Sequence, residues 1–446
     1  MALNIKRPNG TEDVVPKDVH KWHTIEKIAR DTAESFGFGE IRFPTFENTE
    51  LFLRSVGETT DVVQKEMYTV MAKESKFTLR PEGTAGAIRA MLQNGLLNEA
   101  LPQRVYYLTS CFRHERPQAG RLREFHQFGL EMAGSASPAA DAEVISLAST
   151  LLDRLGIKNI ELYINSIGCP ECRAKYHEAL KAYFEARKDE LCDTCMDRLV
   201  KNPMRLLDCK SPICQEIGKD APLILDYLCE DCGNHFESLK SYLDKLGITY
   251  KVNPKIVRGL DYYTKTVFEF VTTEIGAQGT VCGGGRYDGL IEQLGGQHTP
   301  ALGFGMGIER LLLVMEKQGC DYLTPKKCDI YFATMGDAAL EKAMELSKSL
   351  REYGYFAEYD MMGRGLKAQM KYANKIDAAF TVVLGDNELE QGKAKLKDME
   401  KGEETEIALN EKFTAVFEEI YFNKIMDVMD VESADGNLFS FMGGEN

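Results

Sequence analysis

The chain of 446 residues contains no apolar run near the roughly 18–20 residues that a bilayer crossing needs. Its first segment, Met1–Asp13, is polar and has no apolar h-region, so it does not read as a secretory signal. We therefore expect a cytoplasmic protein with no membrane partner. No G-x-x-x-x-G-K-[ST] occurs, so there is no P-loop. Gly303, Gly305 and Gly307 do not complete a G-x-G-x-x-G, and no βαβ unit frames them. Positive charge is in deficit as well: 54 Lys and Arg stand against 69 Asp and Glu, a net charge of −15. That balance argues against nonspecific nucleic-acid binding, which rests on an excess of cations meeting phosphate.

Net charge says little about local sites, and one stretch departs from the acidic background. Between Arg104 and His126 stand Arg104, Arg113, Arg116, Arg121 and Arg123, against only Glu115 and Glu124. Taken alone, such a strip is also what a solvated arginine-rich surface looks like.

Cysteine is unevenly placed. Eight of the twelve lie between Cys169 and Cys232, in four close pairs. Without a secretory signal, a reducing compartment and metal binding are a better reading than disulfides. Cys169-x2-Cys172 and Cys192-x2-Cys195, nineteen residues apart, fit a four-thiolate zinc site, and Cys209-x4-Cys214 with Cys229-x2-Cys232 fit another. Spacing alone does not decide which pairs share an ion. Closed coordination by four thiolates would make such zinc structural.

At roughly 100–200 residues per domain the length predicts two or three domains. Helical periodicity runs from Lys21 to Phe36, with Trp22, Ile25, Ile28, Ala29 and Thr32 on one face. Strand patterns follow at 40–43, 67–70, 76–79, 105–111, 124–132, 160–164, 267–271 and 279–282, which predicts an antiparallel core sheet. A helix is predicted over 141–155 and another over 308–317. After Pro325 strands and helices alternate, the order of a small α/β domain. The last stretch, 423–446, has five acids and one lysine and is expected to be poorly ordered.

Four segments carry most of the chemical information. They are Arg80-Pro81-Glu82-Gly83-Thr84; Cys111–Glu115 leading through the arginine loop to Phe125–Glu131; Val257–Thr264; and Gly303–Arg310. Together they resemble the histidyl-tRNA synthetases over nearly the whole chain to about residue 420. The Phe112-Arg113-His114-Glu115 strand, its loop and its return strand look like class II motif 2. Gly303–Arg310 looks like motif 3, and the helix leading into Phe43-Pro44 is similar to the degenerate motif 1. Arg258-Gly259-Leu260-Asp261-Tyr262-Tyr263 resembles the peptide that distinguishes the histidine enzymes, and Gly283–Asp288 a second such segment.

This resemblance implies an α+β fold: a class II antiparallel sheet with flanking helices, a helical Cys-rich insertion and a C-terminal α/β anticodon-binding domain. The expected boundaries are 1–168 and 246–322 for the catalytic domain, 169–245 for the insertion, 326–422 for the anticodon-binding domain and 423–446 for the acidic tail. It implies that histidine is activated with ATP and Mg²⁺ and then transferred to the 3′ end of histidine tRNA by a homodimer. By resemblance, Arg113 and Arg258 face the α-phosphate and the amino-acid carboxylate, a task that suits a planar, always-charged fork. Glu115, Arg121, Phe125 and Arg310 would hold ATP, with Arg310 and Phe125 on opposite faces of the adenine. Glu131 and Tyr263 would bracket the imidazole, while Glu82, Thr84 and Gln127 take the α-amino group. Gly83 and Tyr262 complete the histidine pocket. Glu309 is either an assistant or a structural acceptor. The loop Arg116–Arg123, with Gln118, would meet the tRNA acceptor end. Lys367, Lys371 and Lys375 share a helix face, which is either a phosphate-contacting stripe or a solvated lysine face. The competing reading is a non-catalytic regulatory paralogue of ATP phosphoribosyltransferase. It fits poorly with the retained Arg113, Arg258, Arg310 and C-terminal domain.

Overall fold

The computed structural model describes residues 5–56, 60, 62–207, 209, 211–256, 262–275 and 279–434; for Val56, Gln64, Lys201 and 427–434 it describes the backbone alone. The chain divides into two compact units, Met1–Leu323 and Thr324–Asn446.

The first unit is organised by an eight-stranded sheet. Its spatial order is Gly39–Glu40, Gln103–Phe112, Glu124–Ala133, Ala301–Gly307, Thr280–Arg286, Thr264–Val271, Glu161–Ser166 and Lys251–Val252. The inner pairings are antiparallel and the two outermost are parallel. Alternation along the strands sorts side chains between the two faces. Phe128, Leu130 and Met132, with Leu302, Phe304 and Met306, point into the main core. Gln127, Gly129 and Glu131 point the other way, as do Gly303 and Gly305.

Four helices cover the apolar face: Val19–Ser35, Pro138–Arg154, Glu230–Lys245 and Ile308–Gln318. The second shows why its sequence is helical. Ser137 caps it by accepting from the Ala139 amide at 3.2 Å, Pro138 sits in the first turn, and Asp141 and Arg154 stand at the ends that suit their charge. Its inner face buries Val144, Ile145, Leu147, Ala148, Leu151 and Leu152.

Asp141 also reaches Arg286, whose side chain is 0% exposed. Arg286 donates to the carbonyls of Ser135 (2.7 Å) and Ser137 (3.1 Å), to Asp288 (3.2 Å) and to Asp141. Burial alone would raise the Asp141 carboxyl; His235 and the Arg286 charge outweigh it and hold that carboxyl below its usual range. Breaking a buried pair strands the other charge, so Arg286→Ala should cost about 3–5 kcal/mol in denaturant unfolding. A loss under 1 kcal/mol would show that the hub is not structural.

The strands read at 67–70 and 76–79 lie outside this sheet. Thr69–Ala72 and Ser75–Leu79 join Phe46–Asn48 in a separate three-stranded sheet. The segment 40–43 is strand only at Gly39–Glu40. Residues 169–245 are helical as expected, in Pro170–Glu185, Asp193–Lys201, Pro212–Ile217 and Glu230–Lys245. The last of these buries Phe236, Leu239 and Leu243 in the main core.

The second unit is a five-stranded sheet in the order Ala357–Tyr359, Ile330–Thr334, Phe380–Leu384, Lys393–Asp398 and Glu404–Ala408. The first three strands are parallel and the last two antiparallel. The helix Phe413–Ala434 carries the backbone into the acidic tail, which begins at Asn423. Tyr421 donates to Asp329 at 2.6 Å, and Lys424 reaches both oxygens of Asp398 at 2.8 Å. Residues 435–446 lie outside the described residues.

Candidate active site

The face of the sheet away from the main core holds two buried carboxyls. Glu131, on Glu124–Ala133, is 0% exposed and accepts from the hydroxyls of Tyr107 (3.0 Å) and Tyr287. Glu82, in the turn before the helix Thr84–Gln93, accepts from the amides of Thr84 (2.8 Å) and Ala85 (2.9 Å). Among the described residues neither carboxyl is in an ion pair. Burial raises Glu131 to about 8, its three side-chain donors pull back only partly, and the Glu82 charge adds to the rise. Burial likewise pushes Glu82 up, against its two amides and the charge of Arg113.

Tyrosines enclose these acids. The rings of Tyr262 and Tyr263 lie 4.7 Å apart, and Tyr262 meets Tyr287 edge-on at 5.4 Å. The glycines opposite leave room for the polar side chains. A Cβ at Gly303 would lie 2.0 Å from Glu131 Oε2, and one at Gly305 would lie 1.8 Å from Gln127 Nε2. Gln127 Oε1 is 3.6 Å from the buried Cys111 thiol, which burial pushes up to about 12.

Beside this pocket lies a cavity of about 170 Å³ lined by Arg113, Glu115, Arg121, Phe125, Glu309 and Arg310 among others. Arg113 Nε donates to the Pro81 carbonyl at 2.8 Å, and its guanidinium lies over the Phe125 ring at 5.4 Å. The plane of the fork is thus fixed from two sides. Arg310 donates to the carbonyls of Gly120 (3.1 Å) and Thr280 (2.6 Å). Arg121 and Glu115 pair with one another at 3.0 Å. Glu309 accepts from the His126 amide at 2.9 and 3.0 Å and meets its Nδ1 at 2.9 Å, joining the helix Ile308–Gln318 to the strand beneath it. Burial opposes the charge on His126, but the Glu309 hydrogen bond outweighs it and leaves His126 above its ordinary value.

The structure therefore packs Glu82, Gly83, Thr84, Glu131, Tyr262 and Tyr263 into one buried cluster, and places Gln127 in the lining of the adjoining cavity with Arg113, Glu115, Arg121, Phe125 and Arg310. Arg258 lies outside the described residues. Sequence reasoning missed Tyr107 and the particular part of Tyr287. The signal for Tyr107 was present as the glycine opposite it, since Tyr107 pairs with Gly129. A second cavity of about 1070 Å³ is lined by Lys6–Val14, Trp22, Gln118 and the neighbouring loop.

The insertion cysteines are all free thiols in two groups: Cys169, Cys172, Cys229 and Cys232, and Cys192, Cys195, Cys209 and Cys214. Within each group the sulfurs lie within 4.8 Å of one another. The partition read first from spacing, Cys169/Cys172 with Cys192/Cys195, is not the one found. The helix Glu230–Lys245 returns Cys229 and Cys232 to the root of the insertion, where Cys169 and Cys172 stand.

An antiparallel sheet with a cation-lined cavity in the motif 2 and motif 3 strands, joined to an α/β C-terminal unit, is the design of a class II aminoacyl-tRNA synthetase. The family model described as "Histidyl-tRNA synthetase" matches residues 10–189 and 219–311, and one for an "Anticodon binding domain" matches 329–419. A histidine–tRNA ligase of Clostridium novyi is 57% identical over 92% of this chain and 97% of its own length. One from Caldanaerobacter subterraneus is 55% identical over 91% and 98%. The structure of the Staphylococcus aureus histidyl-tRNA synthetase superposes with TM-score 0.79 at 38% identity, covering 93% of this chain and 99% of that one. The chain belongs to the histidyl-tRNA synthetase family.

Proposed function

We propose that this chain activates L-histidine with ATP and transfers it to the 3′ end of histidine tRNA. The observation that carries the reading is the pair of buried carboxyls, Glu82 and Glu131, in a tyrosine cage beside an arginine-lined cavity. Such a cage suits a cationic ammonium and a ring that presents N–H donors. Glu131 and Tyr263 take the imidazole, with Tyr107 and Tyr287 holding the Glu131 carboxyl in place. Glu82, Thr84 and Gln127 take the α-amino group, and Gly83 and Tyr262 shape the pocket.

In the first step a carboxylate oxygen of histidine bonds to the α-phosphorus of ATP, and the bond to the bridging oxygen breaks as pyrophosphate leaves. Two anions meet, so fixed cations and alignment matter more than proton transfer. Arg113 and Arg258 take the α-phosphate and carboxylate oxygens, and Arg310 and Phe125 flank the adenine. Glu115 and Arg121 exchange their mutual pair for the nucleotide. Mg²⁺, bound with ATP, offsets phosphate charge. In the second step a ribose hydroxyl of the tRNA attacks the activated carbonyl. The loop Arg116–Arg123, with Gln118, receives the acceptor end. Lys367, Lys371 and Lys375, all exposed on the helix Leu366–Lys375, face phosphate. The working form is a cytoplasmic homodimer, and no helix among the described residues is long and apolar enough to cross a membrane. The eight insertion cysteines hold structural zinc.

The test is amino-acid-dependent ATP–pyrophosphate exchange with all twenty amino acids. Exchange with histidine alone is expected. No exchange from folded protein would return the chain to the regulatory-paralogue reading. A narrower test is Gly305→Ala. The added carbon displaces the flexible end of Gln127 and not the backbone. The histidine KM should rise about tenfold, the worth of one hydrogen bond, with the melting curve nearly unmoved. An unchanged KM would remove Gln127 from the pocket.

A further inference from the structure

The two cysteine groups differ in what they can hold together. Zinc–thiolate bonds of about 2.3 Å set adjacent sulfurs of a tetrahedron roughly 3.8 Å apart, against about 2.05 Å in a disulfide. Cys169 and Cys172 are separated by 3.5 Å, and Cys192 and Cys209 by 3.8 Å. Cys169, Cys192 and Cys229 each precede the first turn of a helix, and Cys172, Cys195 and Cys232 lie within those turns, where the positive end of the helix favours thiolates. Backbone amides already donate to the sulfurs, Cys229 to Cys172 at 3.1 Å and Ser211 to Cys209 at 3.4 Å, as the surroundings of a metal site require.

Location separates the groups. Cys192, Cys195, Cys209 and Cys214 fall inside 190–218, between the two segments matched by the synthetase family model. Cys169, Cys172, Cys229 and Cys232 join the two ends of the insertion; of the helices they cap, Pro170–Glu185 reaches the backbone of Tyr263, and Glu230–Lys245 reaches Lys265, two residues further along the same chain segment. Arg173, one residue beyond Cys172, donates to the Tyr263 carbonyl at 2.9 Å. Asp231, between Cys229 and Cys232, pairs with Lys265 at 2.9 Å. Lys265 has φ +48°, which a side-chain-bearing residue holds only when its surroundings impose it. Its amide donates to Gly168 O at 2.9 Å and its carbonyl accepts from Ile167 N at 2.7 Å, immediately before Cys169.

We infer that Cys169, Cys172, Cys229 and Cys232 bind a structural Zn²⁺ that clamps the root of the insertion and, through Arg173 and Asp231, positions Tyr263 for histidine. Cys192, Cys195, Cys209 and Cys214 bind a second Zn²⁺ that consolidates the interior of the insertion alone. The coupling rests on the reading of Tyr263 as a histidine-binding residue. Arg173 is then a positioning residue.

The experiment uses the full chain, expressed with zinc, and reads metal content by mass spectrometry alongside exchange kinetics. Two zinc ions per chain are expected, falling to one in Cys172→Ser/Cys232→Ser and to one in Cys195→Ser/Cys214→Ser. The root variant should raise the histidine KM about tenfold, with the ATP KM held, as the loss of one positioning hydrogen bond would. The interior variant should lower the melting temperature and leave the histidine KM alone. Arg173→Ala should keep both ions and still raise the histidine KM, with Arg173→Lys restoring most of it; this variant decides the matter should the root variant not fold. Less than one zinc per chain overturns the metal sites. Two ions with a wild-type histidine KM in Arg173→Ala overturn the coupling alone. Absence of histidine-dependent exchange in the wild type overturns the functional reading and leaves the zinc count standing.

Discussion

Replacing Arg113 by alanine is expected to slow formation of histidyl-adenylate about a thousandfold while the chain keeps its fold. The magnitude follows from where charge develops. Negative charge on the phosphate oxygens grows as the carboxylate attacks, and a donor held in place strengthens its interaction at that moment without further ordering. Arg113 is held in place: its Nε is committed to the Pro81 carbonyl and its plane lies over Phe125. The loss should therefore appear mainly in kcat, with a smaller rise in the ATP KM. Lysine should rescue little, because it offers a point charge and cannot both hold Pro81 and present a fork. Single-turnover kinetics on variants with an unchanged melting curve would check this. A kcat within tenfold of the wild type would remove Arg113 from the reacting centre.

The site residues were legible through the resemblance of four segments to family motifs, and not through periodicity, which predicts only that 124–132 is a strand. In Glu124–Ala133 the structure shows why those residues share a face: Phe128, Leu130 and Met132 point into the core, and Gln127, Gly129 and Glu131 point the other way. Gly303 and Gly305 looked uninformative as a nucleotide motif. Their meaning lies in register, because they face strand Glu124–Ala133 where Glu131 and Gln127 need space. Tyr107 and Tyr287 escaped for the same reason: a tyrosine on a strand reads as core until its partner across the sheet is known. Arg286 sits in a segment that resembles a histidine-specific motif, yet its contacts are carbonyls and carboxylates of the scaffold, and its neighbour Tyr287 is the one that reaches the pocket.

The cysteines and the tail show the converse limit. Each Cys-x2-Cys is a local feature of a helix start, but which pairs meet depends on where the chain returns, some sixty residues on. Acidic composition suggests disorder after residue 422, since like charges repel. Lys424, the single cation of that stretch, reaches both oxygens of Asp398, a contact that composition alone does not show.

Glu131→Gln should lower kcat/KM for histidine about a hundred- to a thousandfold, the cost of removing one side of a buried charged hydrogen bond, while the ATP KM moves little. The same change should alter stability with pH in a direction fixed by burial. The Glu131 carboxyl sits at about 8 in the folded protein against an ordinary 4.5. Between those values the folded chain holds a proton that the unfolded chain has released, so stability falls as pH rises through that window. Below pH 4.5 both states are protonated and nothing is lost; above 8 the full penalty of a buried anion among Glu82 and four tyrosines remains. Glutamine keeps the shape and never ionises. The melting temperature of the variant relative to the wild type should therefore climb from pH 5 to pH 9, even as histidine binding is lost. Parallel melting curves for the two proteins across that range would place the ionisation elsewhere. Together with an unchanged histidine KM, they would remove Glu131 from the recognition of the imidazole. A variant that is more stable at alkaline pH and poorer at binding would identify the buried carboxyl as a group whose cost in the free protein is offset only when the substrate's ring arrives.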